Sequence, residues 1–136
     1  MKKRHFAFLV IIYAITFLFV WIARADEGRR LTASWYSIES LKKEGTWALT
    51  KGRMANGEMF ADEGYTCASW DYAFGSILDV YNLSNGKRVN VRVTDRTARR
   101  FKGKRIDLSA RAFDKIADRK QGLVEVYVIV LKDMER

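Results

Sequence analysis

With 136 residues the chain has room for one domain, and its single cysteine excludes an internal disulfide framework. Twenty-five Lys and Arg against 16 Asp and Glu give a net charge of +9, of which four basic residues and no acidic ones fall within residues 1–25. The one histidine, His5, lies there too, so beyond residue 25 imidazole acid–base chemistry, Ser-His and Cys-His nucleophiles and histidine metal sites are excluded.

Lys2, Lys3, Arg4 and His5 precede an apolar run from Phe6 to Ile22 broken only by Thr16. Ala23-Arg24-Ala25 then offers a small-x-small cleavage pattern before Asp26. This predicts an export signal over 1–25. The run is also nearly long enough to span a bilayer, so an uncleaved N-terminal anchor is the alternative. Either way residues 26–136 are expected outside the cytoplasm, in the periplasm or cell envelope. No cysteine follows the cleavage pattern, so the route to a lipoprotein is absent. The exported part carries 21 basic and 16 acidic groups, a net +5, which suits an anionic surface or polymer rather than nucleic acid.

Residues 31–37, LTASWYS, read as a strand with Trp35 and Tyr36 on opposite faces, one to pack and one open to a ligand. The charged stretch from Ile38 to Arg53 has no clean period and predicts a long loop, with at most one helical turn at Ile38–Glu44. Met54 to Phe60 contains Asn56-Gly57-Glu58, a turn with a carboxylate directly behind it. Tyr65 to Trp70 is a short apolar strand, and Cys67 within it reads as core. After a turn at Gly75, Ile77–Leu83 pairs with Arg88–Thr94 across Asn85-Gly86, the dipeptide of tight hairpins that need positive φ at both central residues. Val89, Val91 and Val93 share one face of that second strand, with Arg88, Asn90, Arg92 and Thr94 on the other. The strand ends on Asp95-Arg96. Asp95 is either a rigidly held catalytic carboxylate or a turn aspartate paired with its neighbour. Residues 96–105 hold six basic side chains, either a solvated loop or a cradle for a polyanion.

A helix is predicted from about Leu108 to Asp118, capped by Asp107 or Ser109, with Leu108, Ala112, Phe113 and Ile116 as its apolar stripe. Gly122 ends the connection. Leu123–Leu131 is a strand apolar on both faces apart from Glu125, as a barrel-closing strand would be. The fold class is therefore all-β with one helix, about six strands, most economically closed into a barrel.

ASWYS, ANGE, the TCAS strand, VYNLSNGKRVNVRVTDR and RIDLS before a helix, in this order, resemble the rare lipoprotein A-like (RlpA-like) domain from Thr32 to Leu131. The resemblance implies a six-stranded double-psi β-barrel. It also implies a peptidoglycan lytic transglycosylase that prefers glycan strands stripped of stem peptides. The family's catalytic glutamate and aspartate fall on Glu58 and Asp95. Its histidine falls on Ser69, and the glycine and proline that usually follow the Asp-Arg pair are Thr97 and Ala98 here. The expectation is cleavage of glycan strands to 1,6-anhydromuramyl ends, with Asp95 as acid/base and Glu58 assisting. Ser69, Asn56, Arg96, Trp35 and Tyr36 are the expected substrate contacts, and no metal or cofactor is implied. The alternative is a glycan-binding module that cleaves nothing. A third reading, a scaffold for a cell-division or other envelope protein, requires the N-terminal anchor to stay uncleaved.

Overall fold

The computed structural model describes residues 28–134, so the expected signal or anchor over 1–25 lies outside the described residues. Six strands close into a barrel: β1 (Arg29–Tyr36), β2 (Thr66–Ala68), β3 (Ile77–Asn82), β4 (Arg88–Asp95), β5 (Arg105–Ser109) and β6 (Val124–Lys132). Their order around the barrel is β1-β5-β2-β4-β3-β6. β1–β5 and β2–β4 are parallel pairs; the other pairings are antiparallel. Closure leaves no edge to pair with another chain. The expected all-β barrel is what forms.

The alternation read in β4 decides its faces. Val89, Val91 and Val93 enter the core with Leu78, Val80, Ile106, Leu108, Val126 and Val128. Arg88 and Asn90 are exposed, yet Thr94 on the same polar face is fully buried. The segment after β1 covers it: Thr94 Oγ1 contacts Met54 Sδ at 3.1 Å, and Asn56 N donates to the Thr94 carbonyl at 3.1 Å.

Three expectations are corrected. The stretch from Ile38 to Arg53 carries two short helices, α1 (Ile38–Lys43) and α2 (Thr46–Thr50), rather than one turn in a loop. A reciprocal capping box starts α1, with Ser37 Oγ accepting from Ser40 N and Ser40 Oγ from Ser37 N. Gly45 and Gly52, both at positive φ, frame α2. The hairpin between β3 and β4 is wider than a two-residue turn. Asn82 N donates to the Lys87 carbonyl across Leu83–Gly86, and only Gly86 takes positive φ. Asn85 serves elsewhere: its amide and that of Asn82 both donate to the Ile116 carbonyl, at 2.9 and 2.7 Å, tying the hairpin to the helical segment. That segment is also shorter than predicted. Leu108 belongs to β5, and α3 spans Ala110–Asp114 with Ser109, not Asp107, as its cap. Ile106 and Leu108 alternate inward with period two, which overrides the helical spacing of Leu108 with Ala112 and Ile116.

Cys67 is fully buried, and burial pushes its thiol well above the usual cysteine range. It is expected to resist maleimide in the native state and to react stoichiometrically once denaturant opens the barrel. Fast native labelling, read by mass spectrometry, would contradict this placement.

Candidate active site

Four residues on neighbouring strands stand in one row. Asp95 of β4 pairs with Ala68 of β2, Ala68 with Asp107 of β5, and Asp107 with Ser34 of β1. The β2–β4 register shifts between Cys67 and Ala68, from Val93 to Asp95. The extra residue, Thr94, is a bulge, and it brings Asp95 rather than Thr94 opposite Ala68. The row opens into a cleft of about 780 Å³ walled by Asp95, Asp107 and Tyr36 from the barrel and by Leu41, Glu44 and Thr50 from the α1–α2 excursion.

Asp95 is held by backbone. Its Oδ1 accepts from Ala55 N at 2.9 Å and from Arg96 N at 2.8 Å, while Oδ2 lies 3.4 Å from the Tyr36 hydroxyl. Tyr36 stacks on Phe60, with centroids 4.6 Å apart. Burial first, then the Asp95 charge, raises the Tyr36 phenol far above its ordinary value, so it stays a neutral donor. One carboxylate oxygen is thus fixed by two N–H groups and the other meets a hydroxyl, with both residues on the cleft wall.

Ala55 is presented to Asp95 by the Asn56-Gly57-Glu58 turn. Gly57 N donates to the Met54 carbonyl, Met54 N to the Glu58 carbonyl, and Glu58 N to Asn56 Oδ1. The Glu58 carboxylate accepts from Asn56 Nδ2 at 2.9 Å and pairs with Arg92 at 2.9 Å, on the rim and outside the cleft wall. Its amide partner first, then Arg92, holds Glu58 below the usual carboxylate range. Glu58 and Asn56 therefore organise the turn that positions Asp95, and they do not stand beside it in the cleft. A depressed pKa contributes stability above the ordinary value of 4.5 and loses it as pH falls through the folded value. Glu58→Gln is accordingly expected to melt below the wild type at neutral pH and to converge with it in acid. Parallel melting curves across that range, followed by circular dichroism, would count against the pairing.

The remaining expected contacts divide. Trp35 lines the cleft with Tyr36, so successive residues of β1 both reach it. Trp35 Nε1 donates to the Arg119 carbonyl at 3.1 Å, and the Arg119 guanidinium lies over the ring at 5.3 Å. Arg96 reaches the cleft wall, but one guanidinium nitrogen donates to the Ser69 and Tyr72 carbonyls at 2.5 and 3.1 Å. Its plane sits 3.7 Å from the Phe74 centroid. Ser69 has no exposed surface; its hydroxyl accepts from Asp71 N at 3.1 Å and its N–H donates to the Asp95 carbonyl at 3.0 Å. A sugar contact is out of its reach, and its place is behind Asp95.

Asp107 escaped the sequence reading, where it was an optional helix cap. Ser34 Oγ donates to its Oδ1, and Arg105 Nε donates to the same oxygen at 2.7 Å. A polar residue between inward Ile106 and Leu108 was the available sign that Asp107 faces outward. The basic run is built on aromatic plates: Arg99 lies 5.3 Å from the Trp70 centroid, and Arg100 and Arg105 flank Phe101 at 4.6 and 4.5 Å. Among the described residues Arg99, Arg100, Lys102 and Lys104 form no ion pair within 4 Å, so their charge faces solvent beside the cleft.

The sequence model of the family described as lytic transglycolase matches residues 29–128. Over 80 residues the chain is 34% identical to a protein of Aquifex aeolicus described as a probable endolytic peptidoglycan transglycosylase RlpA, covering 59% of this chain and 35% of that one. A like-named protein of Treponema pallidum is 45% identical over 42 residues, 31% of this chain and 13% of that one. The chain thus spans about a third or less of the length of these curated relatives. Two solved structures share the fold alone. The expansin of Clavibacter michiganensis has 21% identity and a TM-score of 0.56, over 80% of this chain and 52% of that one. The Streptomyces papain inhibitor has 20% identity and a TM-score of 0.57, over 76% and 96%. With a family match running from β1 into β6 and a closed six-stranded barrel to carry it, the chain belongs to the RlpA-like double-psi β-barrel family.

Proposed function

We propose that the chain is an exported peptidoglycan lytic transglycosylase that cleaves glycan strands to 1,6-anhydromuramyl ends, with Asp95 as the acid/base. The observation that carries this reading is the holding of Asp95: Oδ1 is fixed by two backbone N–H groups, Oδ2 meets the Tyr36 hydroxyl, and both residues line a cleft of about 780 Å³. Such a reaction needs one well-placed carboxyl group. The bond from the muramyl anomeric carbon to the glycosidic oxygen breaks as Asp95 gives that oxygen its proton. The muramyl C6 hydroxyl oxygen then bonds to the anomeric carbon, and its proton passes to Asp95, which returns to its starting form. No water is consumed, so no second group has to activate one, in contrast to a glycosidase with paired carboxylates. Tyr36 orients Oδ2, Asp107 and Trp35 line the sugar path, and Glu58 acts through the turn that holds Ala55. The relatives described as peptidoglycan transglycosylases support the substrate, and residues 1–25 would direct export.

A glycan-binding barrel without cleavage is the second reading. It is favoured by Ser69, a buried hydroxyl where the resemblance expects a histidine, and by Glu58 outside the cleft. The basic loop with its aromatic plates suits retention on an anionic wall polymer under either reading. Incubation with peptide-stripped sacculi, followed by mass spectrometry of the soluble products, separates the two. Anhydromuramyl ends are expected. Binding with no such ends would establish the non-cleaving reading.

A further inference from the structure

Thr97 lies two residues beyond Asp95 and forms part of the same cleft wall, next to Ala98. It is 7% exposed, and its hydroxyl has no hydrogen-bond partner. The backbone around it is fixed, because the Thr97 carbonyl accepts from Trp70 Nε1 at 2.6 Å. Folded chains keep few buried hydroxyls in this condition, since each forgoes the hydrogen bond it made to water. Valine would occupy the same volume without that loss. Of the other described buried side-chain groups without a partner, Thr66 Oγ1 and Tyr72 OH, neither residue lines the cleft, so Thr97 alone of the three is placed to meet a ligand. The hydroxyl oxygen is closed off as it stands, and a step of about 120° in χ1 moves it into the place its methyl group holds, where it can turn toward a bound group.

The surroundings narrow the kind of group. Arg96 is engaged with the Ser69 and Tyr72 carbonyls and with the Phe74 ring, and the Thr97 hydroxyl is a neutral polar group on the wall next to Asp95. Ala55, Ala68 and Ala98 line the same cleft with no polar side chain of their own. A small planar group with a carbonyl at one end and a methyl at the other matches that pairing. An acetamido substituent has this form.

We propose that the Thr97 hydroxyl is a substrate-binding group that donates to the acetamido carbonyl of the sugar seated beside Asp95, giving the cleft a preference for N-acetylated over plain β-1,4-linked glucan. The assignment rests on the reading of this cleft as a glycan site. Titration calorimetry on the full-length chain with N-acetylglucosamine tetramer and with cellotetraose tests it, using wild type, Thr97→Val and Thr97→Ser. Wild type is expected to bind the acetylated tetramer the more tightly. Thr97→Val should weaken that binding about 5-fold, the effect of one neutral hydrogen bond, and leave cellotetraose unchanged. Its melting temperature should equal or exceed that of wild type, and Thr97→Ser should restore the affinity. Unchanged affinity of Thr97→Val, equal weakening toward both tetramers, or a lowered melting temperature at unchanged affinity would each overturn the Thr97 assignment alone. A wild-type chain that binds neither tetramer and no sacculi would overturn the glycan reading and this assignment together.

Discussion

Asp95→Asn is expected to lower the formation of anhydromuramyl products by about 100-fold or more, the usual contribution of a positioned general acid–base, while leaving the melting temperature nearly unchanged. The two halves of this expectation come from the two oxygens. Oδ1 accepts the Ala55 and Arg96 N–H groups, and an asparagine carbonyl can accept both. Oδ2, beside Tyr36, becomes an amide nitrogen that can neither give nor take the proton at neutral pH. Asp95→Ala separates the effects, because it also strands two backbone donors, Ala55 N in the turn and Arg96 N at the end of β4. That loss is expected to cost about 1–3 kcal/mol for each unsatisfied group that stays buried. A melting curve alongside a sacculus digest therefore distinguishes a chemical role from a structural one. Activity that survives Asp95→Asn removes Asp95 from the chemistry.

The largest loss of stability is expected from Phe113→Ala. Phe113 projects from α3 into the barrel core, is fully buried, and is among the largest such side chains in the described chain. Truncation of a buried phenylalanine costs about 3–5 kcal/mol, as lost transfer energy plus the cavity left behind. Small domains are stable by roughly 5–15 kcal/mol, so the variant should unfold near or within the physiological range. Urea denaturation reads this directly as a fall in midpoint. Leu49→Ala serves as the control: Leu49 is 87% exposed on α2, and its truncation should change stability by no more than about 0.5 kcal/mol. A midpoint for Phe113→Ala close to that of the control would mean that α3 does not plug the barrel.

The barrel was legible because period-two patterning is a local property. Val89, Val91 and Val93 could face only one way, and the core lies on that side. Turn chemistry was legible less fully. Asn85-Gly86 marks a hairpin, but the amides of Asn82 and Asn85 bond to Ile116, more than 30 residues away, and no local rule reports that. β5 was hidden because Leu108, Ala112 and Ile116 satisfy a helical spacing as well as a strand followed by a short helix. The choice between them is made by pairing with β1 and β2. The site was half legible for the same reason. Asp95 stands out at the end of its strand, whereas Asp107 becomes its neighbour only when Ala68 is placed between them. Glu58 reads from its own neighbours only as a carboxylate behind a turn; the resemblance implies a catalytic role for it, and the position of Arg92 turns it to the rim.

The turn that carries Ala55 has one further property. β4 grips it at three points, at Arg92 through the Glu58 carboxylate, at Thr94 through the Asn56 N–H and at Asp95 through the Ala55 N–H. Strand, rim ion pair, turn and tether form a closed mechanical linkage with the Asp95 carboxylate as one of its joints. Slack introduced anywhere in such a linkage appears everywhere in it. Under the transglycosylase reading, an ion or anionic polymer that competes for Arg92 would reach Asp95 as positional noise, lowering turnover while substrate affinity holds, even though it binds on the outside of the barrel.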